Sequence, residues 1–204
     1  MINFRTAFFV AVVVSAFFYG GCATGPEVER IDSGTAVDVS GQWNDTDSRL
    51  VAEEMIDDCL SRSWVDVFRA ENNQQIPAVI VGTIKNRSHE HINVQTFVKN
   101  LERALVNSGR VRFVASQGER EQIRSEREDQ AKHASDESMH GPGQELGADF
   151  MLIGAINTIR DEVKGKALMY YQVNLELVSL ADNVKAWIGE KQIKKVITHP
   201  KVRW

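Results

Sequence analysis

Ala78-Val79-Ile80-Val81 is a continuous apolar run bounded by Pro77 and Gly82. Three of its four residues are β-branched, which favours a strand over a helix. An apolar run of this length without alternation predicts a strand that is buried on both faces, as in α/β sheets. This stretch therefore decides the class of fold, and the neighbouring elements are placed around it.

A helix and a second strand are predicted directly after this run. Asn93 is suited to cap a helix, and Gly109 is suited to the left-handed position that ends one. Arg110 to Val114 then predicts a short strand, so the order strand, helix, strand indicates a parallel crossover. The buried side of the helix is predicted to hold Phe97, Val98, Leu101, Ala104 and Leu105.

Two further helical segments precede the apolar run. Asn44 or Asp45 can cap the first of them. Two series of apolar residues with a spacing of four predict that this helix is amphipathic. The series are Val51, Met55, Cys59 and Ala52, Ile56, Leu60, and a second short helix is indicated by Trp64, Val65 and Phe68.

The C-terminal part of the chain predicts three more strands. Asp149–Ile156 is a second apolar stretch, and the residues around Tyr171 to Leu177 alternate between apolar and polar. A turn at Asp182-Asn183 then leads into a strand over 184–196. The fold class that follows is α/β, with a mixed β-sheet of about four or five strands flanked by helices. Three lysines near the end of the last strand are typical of residues that guard a sheet edge: Lys191, Lys194 and Lys195.

Charged segments connect these elements. Ser116 and Glu119 have the spacing of a capping box, which predicts the start of a long polar helix held by side-chain pairs such as Arg124–Glu128. The stretch Lys85–Ile92 is predicted to be a polar loop, and Arg160–Lys166 a polar turn.

The first 21 residues predict a lipoprotein signal peptide. Met1 to Arg5 carries one positive charge, and Thr6 to Tyr19 is an apolar run of about 14 residues, too short to span a bilayer as a helix. Gly20 and Gly21 lead into Cys22, as in the lipobox of bacterial lipoproteins, so Cys22 is the predicted site of lipidation. An ordinary secretory signal and a retained membrane anchor are the alternatives.

Residues 22–42 predict a flexible tether, since they contain glycine and serine and no apolar period. About 20 residues extend to at most about 70 Å. By analogy with Gram-negative lipoproteins, Ala23 directly after the lipidated cysteine favours sorting to the outer membrane. A single domain over 43–204 would follow the tether.

The overall charge restricts the classes of partner. The formal net charge of the whole chain is −4, and removal of the signal peptide with its one arginine makes it −5. Proteins that bind nucleic acid carry a basic patch, so this balance argues against nucleic acid as a partner. It also argues against electrostatic attraction to an anionic membrane, so the lipid alone would supply the membrane contact.

Motifs of catalysis and of cofactor binding are not found in the sequence. There is no zinc-protease helix, nucleophile elbow, phosphate loop or dinucleotide fingerprint. His89-Glu90-His91 lies in a predicted loop without an obvious third metal ligand, so a solvated loop is the favoured interpretation. Cys59 lies between Asp58 and Leu60 on an apolar helical stripe, which predicts a buried thiol and not a nucleophile. The sequence favours a binding module without enzymatic activity, metal, cofactor or small-molecule substrate.

Three stretches resemble one family of lipoproteins. They are Trp43-Asn44-Asp45-Thr46-Asp47-Ser48, Val81-Gly82-Thr83-Ile84-Lys85-Asn86-Arg87-Ser88, and Leu146-Gly147-Ala148-Asp149-Phe150-Met151-Leu152-Ile153-Gly154. With the closing hairpin over 177–187, their order and spacing resemble the LpoB family of outer-membrane lipoproteins, which is related to the TolB N-terminal domain and to CsgG-like proteins.

The resemblance implies a TolB-like domain that is a regulator. It would lie at the periplasmic face of the outer membrane and activate a bifunctional class A penicillin-binding protein in peptidoglycan synthesis. The alternative is a structural or secretion-associated lipoprotein, as in CsgG-like or flagellar assembly, and a third hypothesis is an unrecognised cell-wall hydrolase. The tether departs from the family's long Pro-rich form, because it holds only Pro26.

The contact residues of the family cannot be transferred one by one. The Lys85–Ile92 loop and the Arg160–Lys166 turn are the segments from which we expect a partner surface. The residues predicted to contribute are Asn86, Arg87, His89, His91 and Lys164.

Overall fold

Four helices and five strands are formed by the residues that this computed structural model describes, which are 28–140, 143 and 145–198. Residues 28–35 belong to a separate unit, in which the backbone amide of Gly34 donates to Oδ1 of Asp32 at 2.7 Å. In chain order the elements of the main unit are α1 Asp45–Ser61, α2 Trp64–Glu71, β1 Ala78–Arg87, α3 Val94–Asn107, β2 Arg112–Phe113, α4 Gln117–His133, β3 Phe150–Val163, β4 Lys166–Ser179 and β5 Lys185–Thr198.

The strands form one mixed sheet in the order β2-β1-β3-β4-β5. β1 is parallel to both of its neighbours, with Val79 opposite Phe113 on one side and Phe150 on the other. β4 is antiparallel to β3 on one side and to β5 on the other, and the pairing runs along nearly the whole length of these strands. The α/β class, the mixed sheet and the parallel pairing across α3 are confirmed.

The hydrophobic core lies between one face of the sheet and the helices α1 and α3. Both predicted stripes of α1 are buried, and Phe97, Leu101 and Leu105 of α3 are buried with them. The same face of the sheet contributes alternate residues of every long strand, as the period of two requires. The strand residues in this core are Val79, Val81, Ile84, Phe150, Leu152, Ile156, Val173, Leu175, Leu177 and Trp187.

The prediction that β1 is buried on both faces is wrong. Val79 and Val81 are buried, whereas Ile80 between them is only partly buried. On neighbouring β3, Met151 and Ile153 are likewise only partly buried. The reason is that α1 and α3 pack on a single face, so the alternate side chains form a second face with a mixture of apolar and polar groups.

Local hydrogen bonds explain where the helices begin. In α1 the amide of Asp47 donates to Oδ1 of Asn44 at 2.9 Å, and the amide of Asn44 donates to Oδ2 of Asp47 at 3.0 Å. Oδ1 of Asn93 accepts from the amide of Gln95 at 3.1 Å at the start of α3. Gly109, just beyond the end of α3, has a φ of +64°, so the predicted left-handed position is confirmed.

Helix α4 has no buried residue, in agreement with its polar sequence. The amide and hydroxyl of Ser116 both donate to Oε2 of Glu119 at 2.8 Å. The prediction that Arg124 pairs with Glu128 is wrong, because the guanidinium of Arg124 instead donates two hydrogen bonds to Glu145, at 2.8 and 2.7 Å. A bidentate contact to a carboxylate outside the helix replaces the weaker pair within it.

The β3–β4 hairpin is longer than predicted. Residues 160–163 and Lys166 were expected in a polar turn, but they pair as strands, and the turn consists of Lys164 and Gly165. Gly165 has a φ of +85°, which suits glycine at this tight turn. The charges of Arg160, Asp161 and Glu162 are compatible with strand structure here because all three are exposed.

Lys195 does not guard the sheet edge, contrary to the prediction. Its side chain is 9% exposed, and its ammonium lies 2.8 Å from Oδ1 of Asp38 and 2.6 Å from Oδ2 of Asp47. It also donates to the carbonyl oxygen of Gln42 at 3.0 Å. Part of the predicted tether, residues 37–42, therefore contacts the domain directly. Gly41 lies so close to Ile197 that a β-carbon would come within 2.5 Å of it.

Candidate partner-binding surfaces

The loop after β1 is organised by Asn86. Its Oδ1 accepts from the backbone amide of Ser88, and its Nδ2 donates to the carbonyl oxygen of Glu90, both at 2.9 Å. Asn86 and Arg87 are the last residues of β1, paired with Ile156 and Asn157, so their assignment to a loop is wrong. Asn86 is occupied in these internal contacts, whereas the side chain of Arg87 is exposed.

Glu90 joins this loop to the core. Its Oε1 accepts from the hydroxyl of Tyr171 at 2.7 Å, and its Oε2 accepts from the backbone amide of Trp43 at 3.1 Å. The Trp43 and Tyr171 rings lie 5.6 Å apart between centroids. Burial of Tyr171, followed by its hydrogen bond to Glu90, raises the pKa of the phenol, which therefore stays a donor. The sequence predicted a solvated loop, but Glu90 is hydrogen-bonded to residues of the domain core.

The two histidines of the loop do not converge on a metal site. The backbone amide of His89 donates to Oγ1 of Thr158 at 3.1 Å, and its Nδ1 lies 2.9 Å from the same oxygen. His91 is exposed. Within residues 28–140, 143 and 145–198, no three His, Cys, Asp or Glu side chains lie in an arrangement that would hold a metal ion.

The predicted contact residues lie at one end of the sheet but not in one patch. His89 contacts β3 at Thr158, and β3 continues for five more residues before the turn at Lys164. At about 3.3 Å per residue, the six steps from Thr158 to Lys164 place Lys164 up to about 20 Å beyond that contact. We call this region the hairpin end, defined by residues 87–92, 159–170 and 194–198.

Apolar side chains are exposed at the hairpin end, a feature that no sequence pattern indicated. Ile159, Val163 and Val196 are 63%, 66% and 69% exposed. By the alternation of the paired strands they lie on the face of the sheet away from α1. Exposed cations and apolar side chains are therefore combined in this region, a composition found in protein interfaces.

A groove lies at the opposite end of the sheet, where β3 begins and β4 ends. It has a volume of about 700 Å³. Its aromatic lining is held by edge contacts, since Trp64 and Phe68 lie 5.0 and 5.5 Å from Phe150 between ring centroids. This groove is not apparent from the sequence, because it brings together α2 and the β4–β5 turn, which are far apart in the chain. We call it the turn groove.

Of the two cysteines in the chain, only Cys59 lies among the residues that the structure describes. Cys59, on the buried side of α1, is 1% exposed, and burial raises the pKa of its thiol to about 12. A thiol with this pKa is almost entirely protonated at neutral pH and is a poor nucleophile. Cys22, the predicted lipidation site, lies outside the described residues. No helix among those residues is long and apolar enough to cross a membrane.

Comparison with known proteins gives one family match. The model of the family described as peptidoglycan-synthase activator LpoB matches residues 47–193. This range begins in α1 and ends within β5, so it includes β1 to β4 in full and the first nine residues of β5. A comparison with curated protein sequences gives no match.

Several solved structures are similar to this chain at low identity. The C-terminal domain of LpoB from Escherichia coli is 15% identical, with 66% of this chain and 100% of that chain covered and a TM-score of 0.37. An NMR structure of E. coli LpoB is 14% identical, with 87% of both chains covered and a TM-score of 0.39. Lipoprotein GNA1162 from Neisseria meningitidis is 13% identical, with 59% of this chain and 83% of that chain covered and a TM-score of 0.39. From the family match over most of its length, the chain belongs to the peptidoglycan-synthase activator LpoB family.

Proposed function

We propose that this protein activates a bifunctional class A penicillin-binding protein while a lipid on Cys22 holds it at the periplasmic face of the outer membrane. The observation that carries the proposal is the match of an activator family across residues 47–193, from α1 to β5. The signal-like residues 1–21 and the small residues before Cys22 support the lipid anchor.

Activation without catalysis requires a difference in binding between two states of the synthase. A ligand shifts an equilibrium only to the extent that it binds one state more tightly than the other. In this proposal the protein binds the active state of the synthase more tightly and thereby increases its population. The rigid sheet and the buried core present a preformed surface, which limits the entropy lost on binding.

The hairpin end is the first surface that we assign to this contact. Its exposed cations include Arg87 and Lys164, and its large exposed apolar residues are Ile159, Val163 and Val196. Asn86 and His89 act indirectly, because their hydrogen bonds hold the loop in place. His91 is exposed and available for contact.

Pull-down of the lipidated protein from detergent-solubilised membranes tests the proposal. We expect a class A synthase from the same cell among the bound proteins. The double variant Arg87→Ala with Lys164→Ala should recover less of it. The matched control is Arg110→Ala with Lys132→Ala, which removes two exposed cations elsewhere and should recover as much as the wild type.

Two results would contradict the proposal. One is the recovery of no class A synthase by the wild-type protein. The other is a ring of copies of this chain together with export or flagellar components, which would favour a structural role.

A further inference from the structure

The turn groove exposes apolar side chains that the fold does not require at the surface. Val67 of α2 is 51% exposed, and Leu180 and Val184 beside the β4–β5 turn are 46% and 58% exposed. All three line the groove, so they form one patch. A clustered apolar patch of this kind is typical of an interaction site, whereas single exposed apolar residues need no explanation.

The floor of the groove is already rigid. Trp64 is buried, and its Nε1 donates to the carbonyl oxygen of Cys59 at 2.7 Å. Phe150 is held between Trp64 and Phe68 by the edge contacts described above. An aromatic pocket that is preformed in this way binds an apolar anchor at a low cost in side-chain entropy.

One carboxylate of the groove is used by the fold and is not directed at a ligand. A small-molecule site needs a few polar atoms directed at the ligand. The carboxylate of Asp149 instead accepts from the backbone amide of Ala78 at 2.7 Å. The groove is also open, with apolar side chains on its outer margin, so a polypeptide segment covers it better than a compact ligand.

The charges on the groove indicate what kind of segment fits. Glu71 and Asp182 line it, and neither has an ion-pair partner among the described residues. Arg62 also lines it but already pairs with Asp58. The margin is therefore anionic, and a partner with cations at matching positions is complementary to it.

We propose that the turn groove binds a segment of the synthase in which apolar anchor residues are flanked by lysine or arginine. This inference rests on the proposed function, because the synthase is taken as the partner. The turn groove and the hairpin end lie at opposite ends of the sheet, so the synthase would contact this protein at two separate places.

Site-specific photocross-linking tests the groove. A photoreactive amino acid replaces Val67 in the full lipidated chain, which is then irradiated with a purified class A synthase. A second chain carries the same amino acid at Ile188, which is 62% exposed and does not line the groove. We expect a cross-link from position 67 to a synthase peptide rich in apolar and basic residues, and a much weaker one from position 188.

Measurement of the affinity of groove variants for the synthase is the second test. The double variant Val67→Ser with Leu180→Ser should weaken the affinity for the synthase about tenfold or more, since truncation of central apolar anchors has effects of this size. Ile188→Thr should leave the affinity unchanged. Glu71→Lys should weaken binding at low salt, and this effect should shrink as salt is added.

The possible failures are distinguishable. If the wild-type chain binds no class A synthase, the proposed function fails and the groove assignment fails with it. If the wild type binds but the groove variants bind equally well, the groove assignment alone is overturned. Cross-links from position 67 to another copy of this chain or to lipid, with none to the synthase, would overturn it as well.

Discussion

The ammonium of Lys195 lies 2.6 Å from Oδ2 of Asp47, although the two residues are 148 positions apart in the chain. Their side chains are only 9% and 11% exposed. Asp47 also accepts from the amide of Asn44, so one carboxylate joins the start of α1 to the end of β5. Burial alone would lower the pKa of Lys195, but its bonds to Asp38 and Asp47 raise it overall, so the ammonium stays charged.

Replacing Lys195 with methionine should destabilise the protein. The methionine keeps most of the volume but leaves the carboxylate of Asp47 nearly buried without its cation. We expect the free energy of unfolding to fall by about 3 kcal/mol, at the lower end of the cost of removing one partner of a buried pair. Denaturant unfolding followed by circular dichroism measures the change.

Lys191→Met is the matched control for this experiment. Lys191 pairs with Glu54, but that carboxylate is 61% exposed. Exposed pairs contribute about 0–1 kcal/mol, so this variant should change the free energy of unfolding by less than about 1 kcal/mol. Equal losses in the two variants would contradict the role that we assign to Lys195.

Leu101→Ala should also destabilise the protein, for a different reason. Leu101 is fully buried on α3, and its truncation removes apolar contacts and leaves a cavity. We expect a loss of about 2–5 kcal/mol in the free energy of unfolding. On the same helix Val106 is 52% exposed, and Val106→Ala should cost about 0.5 kcal/mol or less. A cost below about 1 kcal/mol for Leu101→Ala would refute the assigned core.

The attachment of α4 to α3 should depend on pH. A hydrogen bond from Lys99, with further bonds from Ser116, lowers the pKa of Glu119 from 4.5 to about 2. Since the folded pKa lies below the unfolded one, the contribution of Glu119 to stability is present above about pH 4.5. It is lost as the pH falls from there through about 2.

An NMR titration of the Glu119 carboxyl carbon measures this shift. In the wild type the midpoint should lie well below 4.5, and in Lys99→Met it should move up toward that value. Lys132→Met, which removes an exposed cation from the other end of α4, should leave the midpoint unchanged. A midpoint that does not move in Lys99→Met would show that Lys99 is not the cause.

The predicted lipid anchor depends on Cys22. Changing Cys22 to alanine removes the sulfur that would carry the diacylglyceryl group, so the protein should either leave the membrane fraction or retain its signal peptide. Membrane fractionation combined with mass spectrometry of the N-terminus distinguishes these forms. Unchanged detergent-phase partitioning of Cys22→Ala would contradict lipidation at this residue.

The sequence predicted the elements in which local pattern decides the structure. Both stripes of α1 and the buried side of α3 followed from a spacing of three or four residues, and the caps at Asn44 and Asn93 followed from residue type. The alternation around Tyr171 likewise predicted β4. In these segments one face is buried against the core, so the spacing of apolar residues along the chain indicates which side chains are buried.

The sequence did not predict features that depend on pairing between distant segments. Arg160 to Glu162 looked like a turn because they are charged, but strand pairing with Ala167 to Met169 extends the hairpin through them. Glu90 looked solvated because its partners, Tyr171 and Trp43, are remote in the chain.

The positions of the candidate surfaces also depend on contacts between segments that are distant in the chain. The Lys85–Ile92 loop and the Arg160–Lys166 turn were both selected from the sequence, yet the last five residues of β3, 159–163, separate Lys164 from the point where the loop contacts Thr158. The turn groove needs α2 beside the β4–β5 turn, and no periodicity in either segment reports that arrangement.

The decisive measurement for activation is the rate of glycan polymerisation by a purified class A synthase with and without the lipidated protein. The account predicts that saturating protein raises this rate about fivefold or more, since allosteric couplings commonly lie in that range. It also predicts that the protein alone forms and cleaves no glycan. A rate that stays the same while the complex forms, or turnover of a cell-wall substrate by the isolated protein, would contradict the account.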